Sequence, residues 1–444
     1  MNVDLNTLRA KWLAPLIFFE FYLALTIFFF FFGPWPWNVD SPVLLGTYLV
    51  AAQVFIGLGY FSAWRKIRLK YDIDNTAVKN ENIILGIVFL RRALIVTFIL
   101  LIPTSLSRTG SVLPDIVAGL VDPGTVYNQN FQRLENGNAF VFVEYFRILF
   151  SHLLVGIYPL VIVYWSRLSR KVRFFSLFAI SFNLSIYLAT GTNKGLADFL
   201  ITLPWLIYLG TSAGVLRLKI HRYIGIIGLV VSFITFMYLF GMGQVQREGG
   251  VGEQGIFNTG LDIITANTSN IAFEFLSNDL IIIYQSLTRY IGQGYYALSM
   301  SFDLDHSSTF GFGHSIFLAR NADVFFDTNK FTTTSIPGLL EVKTGWGMLS
   351  LWHSIYPWLA SDFGFIGALF VLATLSYLFS LSWGSALVSL APRWIILSYL
   401  LIILFYYIPA NNQIFQTGET FSAFFILLIS IFLQKHLSFF STSR

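Results

Sequence analysis

Apolar positions along this chain fall in long unbroken runs, not at the two-residue spacing of a half-buried strand or the three-to-four-residue spacing of an amphipathic helix. A helix of about 20 apolar residues crosses the ~30 Å hydrocarbon core of a bilayer. Ten segments approach that length: 12–32, 42–64, 83–102, 140–164, 174–190, 196–212, 222–241, 355–381, 395–408 and 420–434. The pattern predicts an all-α polytopic membrane helix bundle, a single domain over 1–444. Two long polar segments, 103–139 and 242–351, separate the spans. The second is far longer than a structureless connection usually runs, so short helices are expected in it, with Leu280 to Tyr284 lying along the membrane surface.

Composition sharpens this picture. Of the 444 residues 55% are hydrophobic and 11% charged, against roughly 25% charged in soluble proteins, which excludes soluble enzymes, nucleic-acid binders and disordered chains. The net charge of +5 therefore matters by the side on which the cations lie and not as an affinity for nucleic acid. Cysteine is absent, which removes disulfides and thiolate chemistry. The run 12–32 exceeds a signal-peptide core and lacks a small-residue cleavage site, so it reads as a retained first span.

Placing the N-terminus in the cytoplasm gathers Arg65, Lys66, Arg68, Lys70 and Lys79, then Arg167, Arg170, Lys171 and Arg173, then Arg217, Lys219 and Arg222 on the inner side. Fewer cations fall outside: Arg108, Arg133, Lys194, Arg247, Arg289, Arg320, Lys330 and Lys343. The positive-inside rule then predicts both termini in the cytoplasm and 103–139 and 242–351 outside. The inner loops are short and hold no GxxxxGK[ST] phosphate loop, so a nucleotide substrate is not expected.

Ionised groups at membrane depth face the protein interior or a wet cavity. Glu144 and Arg147 sit three apart near the outer end of the fourth span, on one helix face. Either Arg147 holds a phosphate through its planar fork or the two close a structural ion pair. Gly191-Thr192-Asn193-Lys194-Gly195 is an external hairpin that either cradles an anion, with Lys194 supplying charge, or is a plain turn. Within the glycine-rich run 241–255 Arg247 is the candidate. Arg289 precedes Tyr290, Tyr295 and Tyr296, a composition suited to a sugar diphosphate and equally to an interfacial aromatic belt. His353 follows Trp352 where the long segment re-enters the membrane, and histidine exchanges protons near neutral pH. Neither HExxH nor paired histidine spacing is present, so a metal site is not expected.

His353 and Ser354, followed after nine further residues by Gly364 and then Gly367, resemble the signature of O-antigen ligases and Wzy-type O-antigen polymerases. The stretches Tyr290 to His314, Ser354 to Gly367 and Pro409 to Glu419 resemble the polymerase branch. The resemblance implies an oligosaccharide repeat-unit polymerase in the bacterial inner membrane with its active site facing the periplasm. Such an enzyme transfers a growing glycan from polyprenyl diphosphate to a lipid-linked repeat unit. It implies no cofactor and no metal, lipid-linked donor and acceptor as substrates, and a chain-length regulator and a flippase as further partners.

That chemistry needs cations where negative charge develops on the leaving group and a base near the attacking hydroxyl. Arg147, Lys194, Arg247 and Arg289 are the diphosphate candidates, and Tyr295, Tyr296 and Trp352 the sugar-stacking ones. His353 is the first candidate base, with Asp362 and Glu274 behind it. Asp362 lies nine residues past His353, about two and a half helical turns, so the two act together only if the helix breaks, and Pro357 is the expected place. Two alternatives stay open: an O-antigen ligase with a lipid A core acceptor, and a flippase or transporter of lipid-linked oligosaccharide. No internal repeat of the hydropathy pattern favours the transporter.

Overall fold

The structure, a computed structural model, describes residues 5–73, 76–135, 137, 140–217, 222–247, 255–259, 262–305 and 307–441. It is mostly helical. In chain order the helices are α1 (Leu5–Phe32), α2 (Pro42–Ser62), α3 (Trp64–Ile73), α4 (Thr76–Thr109), α5 (Ile116–Val121), α6 (Pro123–Glu135), α7 (Val141–Leu149), α8 (Ser151–Tyr164), α9 (Arg170–Ala189), α10 (Lys194–Ser212) and α11 (Arg222–Arg247). A two-stranded antiparallel hairpin, β1 (Ile256–Asn258) and β2 (Ile263–Thr265), comes next. Then follow α12 (Asn278–Ser301), α13 (Ile316–Phe325), α14 (Lys330–Thr334), α15 (Ile336–Thr344), α16 (Ile355–Ser389), α17 (Pro392–Tyr407) and α18 (Gly418–Ser441). An apolar run satisfies its backbone N–H and C=O groups within one segment only as a helix, which is why the hydropathy runs and the helices coincide.

Among the described residues six helices are long and apolar enough to cross a membrane, or seven if the bent pair α7–α8 counts as one span. The segments expected near 395–408 and 420–434 are helices too, but shorter apolar ones. One expectation needs correction and two gain detail. The fourth segment is not straight: it bends by 66° at Phe150, which turns Glu144 and Arg147 onto a short separate leg. Leu280 to Tyr284 lies in the first turns of the 24-residue α12. The all-α expectation also misses the small hairpin, whose strands are only three residues each.

The chain divides into two compact units. The first comprises Met1–Trp64, Thr235–Ser380 and Ile403–Thr417. In it α1 packs on α2 and α12 around fully buried Trp12, Phe19, Tyr60, Tyr295 and Phe379. Trp12 Nε1 donates to Ser380 Oγ at 2.9 Å and Tyr60 hydroxyl to Trp12 O at 2.6 Å, so the buried polar ends of these rings are satisfied. The second unit comprises Arg65–Ile234, Leu381–Ile402 and Gly418–Arg444. There α4 packs on α8 and α9, and α8 on α10 and α18, around Leu160, Tyr164, Leu206 and Trp383.

Candidate functional site

In the first unit the three stretches that carry the polymerase resemblance meet. Gly294 of α12 lies against the other two: a Cβ there would sit 2.0 Å from Pro409 O and 2.7 Å from Ser354 N. Ser354 N donates to Gly294 O at 3.3 Å, and the next amide, of Ile355, to Ile408 O at 3.0 Å. No side chain fits such a crossing, which is the physical reason for glycine at 294.

The turn after α12 wraps the carboxylate of Asp362. Gly311 N and Gly313 N donate to Oδ1 at 2.9 and 3.3 Å, and His314 N donates to Oδ2 at 2.8 Å. Thr309 hydroxyl donates to Oδ1 as well. His314 Nδ1 lies 2.8 Å from Oδ2. A carboxylate surrounded by donors accepts and does not give a proton, so Nδ1 carries the hydrogen and Nε2 is the acceptor nitrogen of the ring. Positive φ at Phe310 and Gly311, 55° and 90°, closes the turn. Asn412 Nδ2 donates to His314 O at 2.7 Å, and the Phe415 ring lies 5.6 Å from the imidazole. The result is an imidazole oriented by a buried carboxylate, the arrangement of a general base.

Helix α16 reaches this carboxylate because it breaks two residues later, at Gly364 (φ 68°, ψ 167°). That combination is essentially glycine's alone. The break is not at Pro357, which sits in the first turn of α16 where no intrahelical N–H bond is due. The Ser354 to Gly367 stretch thus carries a backbone requirement at its first glycine.

His353 stands just ahead of α16 and is 1% exposed. Its Nδ1 donates to Leu351 O at 3.1 Å, and burial pulls its pKa from the ordinary 6.5 down to about 3, so the ring is neutral. It is separated from Asp362 by the helical leg between them. Glu274 ends a 3₁₀ turn (Ile271–Glu274) and is exposed. Arg289 is almost fully buried, its guanidinium 5.0 Å from the Phe257 ring centre and 5.8 Å from that of Trp35. Its aromatic neighbours thus include a ring of the hairpin and one of the segment after α1. Tyr295 is fully buried, its hydroxyl 2.9 Å from that of Thr26. Tyr296 lies between Trp37 and Trp346, and Trp352 against Tyr290. The side chain of Arg247 lies outside the described residues.

The second unit gathers a different set. Arg147 pairs with Glu419, Nη2 to Oε2 at 2.7 Å and Nε to Oε2 at 3.2 Å, and Nη1 donates to Thr104 hydroxyl at 2.9 Å. Arg108 takes Glu144 in a fork of 3.1 and 2.9 Å. The Glu144–Arg147 pair is a 4.0 Å contact, longer than those each residue makes with Arg108 and Glu419. Lys194, at the start of α10, binds Asp198 one turn on at 2.6 Å. A cavity of about 130 Å³ is lined by Arg147, Asp198, Glu419 and the rings of Tyr158, Tyr187 and Tyr399. Gly191 has φ 64° and no room for a Cβ, which would lie 2.3 Å from Pro123 O, so the hairpin is a tight turn. Arg147 and Lys194 thus come to one unit, each already holding a carboxylate. An anion in this cavity would compete with Glu419 for the Nε and Nη2 side of Arg147.

His314, Arg108 and Glu419 are not singled out as site residues by sequence. The signal for His314 is the Gly311-Phe312-Gly313 run ahead of it, a turn whose free amides face an anion. Among the described residues no group of three or more His, Asp or Glu side chains gathers as metal ligands. No family model, curated protein or solved structure matches this chain.

Proposed function

We propose that the chain is a polysaccharide repeat-unit polymerase, a metal-independent integral-membrane glycosyltransferase. It transfers a growing glycan from polyprenyl diphosphate onto a lipid-linked repeat unit at the outer face of the bacterial inner membrane. The reading includes ten membrane segments, with the bent α7–α8 pair and the shorter α17 and α18 among them, both termini cytoplasmic and 242–351 external. One observation carries it: the stretches that resemble the polymerase branch, distant in sequence, converge on the dyad of His314 and Asp362.

In this reaction His314 Nε2 takes the proton of the acceptor hydroxyl as its oxygen bonds to the anomeric carbon. The bond to the polyprenyl diphosphate breaks and the leaving group departs with the electron pair. Asp362 holds the ring in the productive tautomer and balances the imidazolium that forms, a contribution of typically 10²–10⁴-fold for such a base. His353, buried and neutral, fits a positioning role where Ser354 crosses Gly294. The diphosphate is assigned to Arg289 and Arg247, the candidate cations of the dyad's own unit.

Purified protein mixed with lipid-linked repeat units tests the proposal. A ladder of lengthened lipid-linked glycans is the expected result. Movement of the lipid without growth would make the chain a transporter, and growth only after lipid A core is added would make it a ligase.

A further inference from the structure

Helices α4 and α9, in the second unit, flank an open groove of about 770 Å³. Arg91 and Lys171 are the charged residues of its lining. Ile95, Phe98 and Ile99 of α4 and Phe175 of α9 form the apolar walls, with Phe98 edge-on to Phe175 at 5.7 Å. On both helices the cation precedes the apolar residues, so the two walls change from charged to apolar in the same sense along their chains.

Arg91 and Lys171 are both exposed and make no ion pair among the described residues. The first turn of α9 holds Arg170, Lys171 and Arg173 and no acidic residue. Cations at a helix N-terminus face the positive end of the helix dipole, which disfavours them until an anion joins. Ile95 and Ile99 are 63% and 68% exposed, apolar surface that water does not favour and an acyl chain does.

We propose that this groove is a binding site for an anionic phospholipid, its phosphate between Arg91 and Lys171 and one acyl chain along Ile95, Ile99 and Phe175. Charge complementarity selects the headgroup, and the apolar length selects a lipid over a soluble phosphate. The inference does not depend on the glycan chemistry.

Native mass spectrometry of the full chain in neutral detergent tests it, with phosphatidylglycerol and phosphatidylcholine of identical acyl chains as probes. Phosphatidylglycerol should bind on the order of tenfold more tightly, the scale set by two basic side chains at a headgroup. Arg91→Gln with Lys171→Gln should remove that preference, while Arg65→Gln with Arg68→Gln, an equal loss of charge on α3, should leave it. Ile95→Trp, which fills the groove and leaves the charges, should weaken binding of both lipids. Equal affinity for the two lipids, equal loss in the α3 variant, or unchanged binding in Ile95→Trp would each overturn the site.

Discussion

The two units hold their buried carboxylates in different ways. In the first, Asp362 is satisfied mostly by main-chain amides of one turn, Gly311, Gly313 and His314, so its position is set by backbone that a side-chain rotation cannot rearrange. In the second, Glu144, Glu419 and Oδ2 of Asp198 are held by the side chains of Arg108, Arg147 and Lys194, partners that reorient at modest cost. A carboxylate held by a backbone nest is a fixed support for one imidazole. A set of three cations against three carboxylates is a neutral, exchangeable network, in which an incoming anion competes with Glu419 for Arg147.

That contrast is tested most severely at the dyad. Asp362→Asn and His314→Gln should each lower polymer formation by ~10²–10⁴-fold, read as glycan ladders from purified protein, with the protein still folded. Glu274→Gln should stay near full rate. A His314→Gln enzyme with normal ladders would remove the base from the mechanism and leave the dyad a structural clasp.

In the second unit the effect belongs to stability. Arg147 is 8% and Glu419 19% exposed at the side chain, and removing one member of such a pair strands the other charge, at a cost of about 3–5 kcal/mol. Glu419→Leu should therefore lower the midpoint of thermal unfolding in detergent sharply. Adding Arg147→Met should restore most of it, since a buried pair replaced by apolar groups is often neutral. If the double variant is no better than the single, the network is held by Arg108 instead.

Next in size is the helix break that presents Asp362. Gly364→Ala forces a methyl-bearing residue into backbone angles that cost of order 1–3 kcal/mol, although open space surrounds the position. Both unfolding midpoint and ladder formation should fall together. A loss of stability with normal activity would mean that the turn around Asp362 tolerates a different break.

What is legible in the sequence follows from range. Each of the ten apolar runs, Trp12 to Phe32 or Ile355 to Leu381 for instance, becomes helix because lipid-compatible backbone has one local solution. The motif marks Gly364, though the usual rule for a helix break points to Pro357 instead. The dyad is not legible, since 48 residues separate His314 from Asp362, and neither are Arg147 and Glu419, 272 apart. The ring contacts of Arg289 with Trp35 and Phe257, far from it in sequence, are illegible for the same reason. Local pattern determines elements, whereas a site is a set of long-range pairings that one sequence does not encode in its spacing.

The smallest effect concerns the other histidine, and it separates structural from catalytic use within the first unit. His353 is buried and its pKa is depressed to about 3 from an unfolded value of 6.5. Between those values the unfolded chain binds a proton that the folded chain does not, so stability is full above pH 6.5 and falls as the pH drops through that window. Lowering the pH from about 6.5 to about 5.5 should cost on the order of 1 kcal/mol from this residue. His353→Gln cannot titrate and should flatten that part of the stability profile, whatever its own midpoint at neutral pH. Ladder formation by the variant then distinguishes two uses of the neutral ring. Retained activity with a flattened profile leaves His353 as packing where Ser354 crosses Gly294, whereas lost activity with a flattened profile puts it in contact with the reacting sugar beside His314. An unchanged pH profile would show that the ring is protonated in the folded protein and overturn its assignment as buried and neutral.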